Sequence, residues 1–203
     1  MKITIILLVL LLAFLLRPTY YPPRLYRNFI PPETCDYIIE KARKDLKPST
    51  VAKEKIILEK VRKSETAWLD NNDPRVKDVV EKCISLTDRP LCNCEKLQVL
   101  KYTPGGFYKP HQDAFENDAN MRMYTCIIGL NDGYEGGETE FPNLGKKYKL
   151  NKGDMLLFDV TNDWGWMTSK ALHGGNPVTS GEKWICNLWI RTFPYETKSY
   201  TKV

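Results

Sequence analysis

A mainly β fold of the α+β class, a double-stranded β-helix or jelly roll braced by N-terminal helices, follows from two observations. Before residue 97 apolar residues recur at helical spacing, and from Leu97 onward they fall in short runs separated by turn residues. The 203 residues are enough for one domain with a sizeable core and too few for two comfortable ones.

The elements follow in order. Phe29-Ile30 reads as a short strand or the lead-in to a helix from about Pro32 to Leu46, with Cys35, Ile38, Ile39, Ala42 and Leu46 on one face. A charged segment, Lys53 to Lys60, precedes VRKSETAWLD at 61 to 70. Asp73-Pro74 is an N-cap followed by proline at the first helical position, and Val76, Val79, Val80, Cys83 and Ile84 continue an amphipathic helix. Strands are then expected at 97 to 102, 123 to 130, 148 to 150, 155 to 160 and 183 to 191. Pro104-Gly105-Gly106, Asn131-Asp132-Gly133 and Asn151-Lys152-Gly153-Asp154 supply turns. The paired glycines lack dinucleotide or P-loop spacing.

Residues Ile3 to Leu16 form an uninterrupted apolar run between Lys2 and Arg17-Pro18. Its length suits a signal segment, but no small-x-small cleavage site follows it. Residues 1–23 are therefore expected to be an uncleaved signal anchor with a Pro/Tyr-rich linker. Residues 24–203 would then be a lumenal domain at the endoplasmic reticulum membrane, the alternative being release after cleavage. The net charge of +5 is spread along the chain without a basic block, which argues against a nucleic-acid partner. Of the six cysteines, Cys35, Cys83, Cys126 and Cys186 sit at apolar positions and read as buried thiols. Cys92 and Cys94 lie in a loop, where a bridge to Cys83 is open to them.

The chain holds two histidines, His111 and His173. His111 and Asp113 have the spacing that puts two side chains on one face of a strand, and His173 can close the set from a distant strand. Two imidazoles and one carboxylate form the facial triad of non-haem Fe(II), leaving positions for a chelating co-substrate and dioxygen. Ten residues after His173, Lys183 begins a strand on the face of Ile185, Asn187, Trp189 and Arg191. A lysine buried there calls for an anionic partner such as a co-substrate carboxylate; an edge strand would leave it in solvent. Tyr102 and Thr125 suit either that pocket or the core. The loop Asn162 to Ser169, with Trp164 and Trp166, suits a substrate-facing lid or an ordinary surface loop.

These residues sit in RKSETAWL (62–69), LQVLKYTPGGFYKPHQD (97–113), IGLNDGYEGGETEFP (128–142), KGDMLLF (152–158) and ALHGGNPVTSGEKWICNLWIR (171–191). In combination they resemble the 2-oxoglutarate and Fe(II)-dependent dioxygenases, specifically the prolyl 4-hydroxylase group, from about Phe29 to Arg191. The resemblance implies His111, Asp113 and His173 as iron ligands and Lys183 as partner of the 2-oxoglutarate carboxylate. It implies Tyr102 and Thr125 as lining of that pocket, Trp189 near the iron, and Arg191 towards the substrate. Arg62 to Trp68 matches a mobile loop that closes over the peptide. Gln112 stands where the family often has an aromatic.

The implied reaction is hydroxylation of C4 of a prolyl residue in a Pro-rich or collagen-like polypeptide, coupled to oxidative decarboxylation of 2-oxoglutarate to succinate and CO2. Dioxygen is the other co-substrate, and ascorbate keeps the iron reduced. The peptide partner is expected in the polyproline II conformation. Two rivals stand beside this expectation: an oxygenase of the same fold acting on lysyl or nucleobase substrates, and a catalytically silent jelly roll that binds peptides.

Overall fold

The computed structural model describes residues 16–50, 58–115 and 118–195. Among them, two helices lie against an antiparallel β sandwich. The major sheet has the order β1-β11-β7-β14-β5-β4-β2. Its strands are β1 (Arg24–Tyr26), β2 (Lys47–Pro48), β4 (Glu65–Leu69), β5 (Leu97–Tyr102), β7 (Arg122–Gly129), β11 (Met155–Asp159) and β14 (Lys183–Arg191). The minor sheet, β10-β9-β12-β6-β3, contains β3 (Arg62–Lys63), β6 (Phe107–His111), β9 (Thr139–Phe141), β10 (Lys146–Tyr148) and β12 (His173–Gly175). A small ribbon pairs β8 (Glu135–Gly136) with β13 (Val178–Ser180).

Period-two alternation gives the major sheet two buried faces. On one, Cys186, Leu188, Ile190, Val99, Cys126, Ile128 and Leu157 form a core with α1 (Pro32–Arg43) and α2 (Pro74–Ile84). These helices contribute Cys35, Ile38, Ile39 and Ala42, and Val76, Val79, Val80 and Cys83 respectively. On the other face, Leu100, Ile127, Leu156, Phe158 and Ile185 form a second core that includes Phe141 of the minor sheet. Each fully buried aliphatic side chain contributes about 1.5–3 kcal/mol, so the helices secure one face and leave the other for the site.

The α2 start is as the sequence predicts: Asp73 Oδ1 accepts from Arg75 N at 3.1 Å and Val76 N at 3.2 Å, with Pro74 at the first helical position. Helix α1 ends at Arg43, three residues before the expected Leu46, because Pro48 demands an extended residue before it and Lys47–Pro48 forms β2. The strand expected at 148 to 150 lies at Lys146–Tyr148. All six cysteines are free thiols, so Cys83 makes no bridge to Cys92 or Cys94.

Two expectations are corrected. Arg62 to Trp68, expected as a mobile loop, forms most of β3 and β4, with Arg62 opposite Tyr108 in the minor sheet and Trp68 opposite Gln98 in the major. The single-pass anchor at the endoplasmic reticulum membrane is not supported: among the described residues no helix is long and apolar enough to cross a membrane. The run from Ile3 to Leu16 would reach about 21 Å as a helix, against roughly 30 Å of hydrocarbon. Residues 3–15 of that run, like 53–57 of the charged segment, lie outside the described residues.

Candidate active site

His111, Asp113 and His173 meet where β6 and β12 pair, in register His111 to His173. Their candidate ligand atoms all lie within 4.8 Å of one another. His111 Nε2 stands 3.6 Å from Asp113 Oδ1, and His173 Nε2 stands 3.6 Å from Oδ2. The approach depends on Gly174, where a Cβ would meet the Tyr108 carbonyl oxygen and Pro110 N at 2.9 Å. Strand β6 ends at His111, so Asp113 reaches the cluster from the bend beyond it and not from the same strand.

Both imidazoles are oriented from behind. His111 Nδ1 lies 2.9 Å from the Lys109 carbonyl and His173 Nδ1 lies 3.0 Å from the Ala171 carbonyl. With Nδ1 as the donor, each Nε2 turns a lone pair on the Asp113 side, the arrangement that metal-binding histidines use. Burial lowers the His173 pKa to about 4, with His111 adding to the effect and Asp113 opposing it, so the ring is a neutral ligand at physiological pH. Burial alone would raise the Asp113 pKa, but His173, His111 and Arg122 outweigh it and hold the carboxyl well below the usual range. Thr125 Oγ1 donates to Asp113 Oδ2 at 2.7 Å. Two imidazoles and one ionised carboxylate on one side fit an Fe(II) ion that keeps positions open, and they lack the thiolates of structural zinc.

Lys183 is 3 % exposed although it carries a cation. It lies on central strand β14, paired with Tyr102 in register, which excludes the edge-strand alternative. Its Nζ donates to the Gly137 carbonyl at 2.7 Å and sits 5.2 Å from the Tyr102 ring centroid. Burial, with Lys149 adding to it and Glu138 opposing, lowers its pKa to about 8. Gly137 has φ +66°, and a Cβ there would approach Lys183 Cδ to 3.0 Å. A buried ammonium bonded only to a carbonyl among the described residues suits a carboxylate ligand.

His111 and Asp113 of the triad open into a cleft of about 560 Å³ lined by both sheets. On one wall Tyr108 stacks on His111 at 3.6 Å between centroids, and Arg62 lies 4.6 Å over the same ring. On the other, Trp189 has Arg122 at 3.7 Å from its ring and Trp68 at 6.1 Å between centroids. Glu95, 3 % exposed, receives Arg122 Nε at 2.6 Å and Nη2 at 2.9 Å, and Arg191 Nε at 2.8 Å. Among the described residues Gln98 Oε1, Asn187 Oδ1 and Trp189 Nε1 are buried without a hydrogen-bond partner, on side chains that line the cleft.

Of the residues singled out in the sequence, His111, Asp113, Trp189, Arg191, Arg62 and Trp68 line one cleft, and His173 and Thr125 join them through Asp113. Tyr102 and Lys183 share the inner face of the same sheet but do not line the cleft. Sequence reasoning passed over Glu95, Arg122 and Tyr108. The register Gln98 to Asn187 was readable from two strands already placed; nothing local marked Glu95.

Residues 97–191 match the family model of the 2OG-Fe(II) oxygenase superfamily. A protein of Acanthamoeba polyphaga mimivirus assigned by name as a prolyl 4-hydroxylase is 36% identical over 183 residues, covering 85% of this chain and 75% of its own. Prolyl 4-hydroxylase 1 of Arabidopsis thaliana is 34% identical over 188 residues, covering 81% of this chain; the chain spans 66% of that protein's length. The viral collagen prolyl hydroxylase of Paramecium bursaria Chlorella virus-1, solved with 2OG, superposes with a TM-score of 0.69 at 29% identity, over 85% of this chain and 97% of that one. With its triad, its jelly roll and these relatives agreeing, the chain belongs to the prolyl 4-hydroxylase family of 2-oxoglutarate- and Fe(II)-dependent oxygenases.

Proposed function

We propose that this enzyme hydroxylates C4 of prolyl residues in Pro-rich or collagen-like polypeptides. The observation that carries the reading is the His111-Asp113-His173 cluster beside a cleft lined by Trp68, Trp189 and Tyr108, with the polar side chains of Gln98, Gln112 and Asn187 also in its lining. A pyrrolidine ring and its flanking amides match that mixture of aromatic and hydrogen-bonding side chains. The names of the viral and plant relatives point to the same substrate class.

In this reading His111, Asp113 and His173 hold Fe(II), and Lys183 receives the distal carboxylate of 2-oxoglutarate beside Tyr102. Fe(II) and 2-oxoglutarate, when bound, supply the oxidising chemistry: one oxygen atom of O2 ends in succinate and the other in the alcohol, with loss of CO2. The chain's own part is placement. Thr125 and the two backbone carbonyls fix the ligands, and Trp189, clamped by Arg122, limits how the peptide lies. The extended polyproline II form suits an open-ended cleft between sheets.

Succinate release by the full chain with Fe(II), 2-oxoglutarate and ascorbate tests this, comparing poly-L-proline, a collagen-like peptide and no peptide. Peptide-stimulated turnover with one added oxygen on proline is expected, lost in Asp113→Ala and His173→Ala. Turnover unaffected by peptide, or retained in either variant, overturns it.

A further inference from the structure

The hairpin between Thr161 and Met167 does nothing in the site described above, yet it is firmly built. Thr161 and Met167 form an isolated antiparallel bridge. Asn162 Oδ1 accepts from Trp164 N and Trp166 N, both at 3.0 Å, while Asn162 N donates to the Trp166 carbonyl at 2.9 Å and the Asn162 carbonyl accepts from Gly165 N at 2.9 Å. Gly165, at φ +75°, makes the turn. Asp163 is tied to Thr19 in both directions, Thr19 N to Asp163 Oδ1 at 2.7 Å and Asp163 N to the Thr19 carbonyl at 2.9 Å.

This scaffold displays two indoles. Trp164 and Trp166 are 47% and 59% exposed, with ring centroids 5.0 Å apart and planes at 82°. Two aromatic rings held at a right angle form a notch that accepts a proline ring on an apolar face, while the indole N–H groups remain available to peptide carbonyls. The hairpin is also continuous with the cleft. Gln112, which lines the cleft, donates through Nε2 to the Thr168 carbonyl at 2.9 Å, and Trp166 is two residues from Thr168. A polyproline II chain advances about 3.1 Å per residue, so a substrate longer than the cleft holds can extend from Gln112 towards the pair.

We infer that Trp164 and Trp166 form a second binding site for the Pro-rich substrate chain, outside the catalytic cleft. The inference rests on the hydroxylase reading for its choice of partner. It makes the enzyme sensitive to peptide length: residues several positions from the hydroxylated proline contribute to binding without entering the cleft.

The test pairs a six-residue with a fifteen-residue proline-rich peptide, on the full chain and its Trp164→Ala/Trp166→Ala variant. The variant is expected to raise KM for the long peptide about three- to tenfold, with kcat and the short peptide's KM unchanged. In the metal-free wild-type protein, the long peptide should change tryptophan fluorescence at saturating concentrations, and the variant should lose that change. An unaltered length dependence overturns the inference, as does an equal rise in KM for both peptides. Loss of vesicle binding or of self-association in the variant, with peptide binding intact, assigns the pair to a lipid surface or a second copy and also overturns it. If no peptide is hydroxylated by the wild type, the hydroxylase reading fails, and the fluorescence titration still decides whether the pair binds proline-rich chains.

Discussion

Thr125 and Asp113 share a hydrogen bond of 2.7 Å inside the core, and Asp113 Oδ2, which accepts it, also faces His173 Nε2 at 3.6 Å. The threonine, fully buried on β7 opposite Trp189, thereby sets the rotation of the carboxylate between the two imidazoles. Thr125→Val keeps the shape and removes the donor. Metal affinity should fall about tenfold, read by anaerobic titration with Fe(II) or Mn(II), while KM for peptide is unchanged. Unaltered metal binding would leave Thr125 a packing residue.

The lowered pKa of Lys183 gives two pH effects of opposite sign. Between its folded value of about 8 and the ordinary 10.5 the unfolded chain binds the extra proton, so ligand-free stability rises with pH across that interval. Affinity for a dianion falls over the same interval as the ammonium is lost, approaching tenfold per pH unit above about 8. Calorimetric titration of 2-oxoglutarate and thermal unfolding from pH 7 to 10 should show both slopes. Lys183→Met should abolish 2-oxoglutarate saturation while raising the ligand-free Tm by a few degrees, since a buried charge is removed. A lowered Tm would mean that the Gly137 hydrogen bond outweighs the buried charge.

Glu95 pairs with Arg122 and shares Arg191 with Asp118. Glu95→Ala leaves the largely buried Arg122 guanidinium without its carboxylate and should destabilise the fold by about 3 kcal/mol, measured by urea unfolding. Glu95→Gln, which keeps the shape, should lose less. Because Arg122 packs on Trp189, both variants should also raise KM for peptide. A peptide KM that stays constant while stability falls would separate the two roles.

Gly174→Ala places a methyl group against the backbone of Tyr108 and Pro110. The expected result is separation of β12 from β6, with metal affinity reduced more than tenfold and circular dichroism little changed. Retained affinity would show that the sheet yields at this point.

Strand periodicity, turn residues and capping made both helices and the strands at 97–102 and 183–191 readable, because each follows from local spacing. The triad and Lys183 were legible because histidine is scarce here and a lysine facing inward on a β-strand needs a partner. The short strands β3, β8, β9, β12 and β13 were not. Two or three residues carry too little periodicity, and their pairing is set by the sandwich. Glu95 and Arg122 are 27 residues apart and are joined only by the register of distant strands, which no local pattern encodes. The assignment of Arg62 to Trp68 to a loop failed for a related reason: its alternation, Arg62 and Ala67 inward and Lys63 outward, is split between two sheets.

That split has a geometric consequence. Arg62 stands over Tyr108 on one wall of the cleft and Trp68 beside Trp189 on the other, and between β3 and β4 the chain crosses from sheet to sheet with Ser64 alone. The gap between the walls is therefore gauged at this edge by a single residue, like the jaw setting of a caliper. One glycine inserted after Ser64 would reset the gauge, changing the thickness of chain that enters while leaving every metal ligand in place.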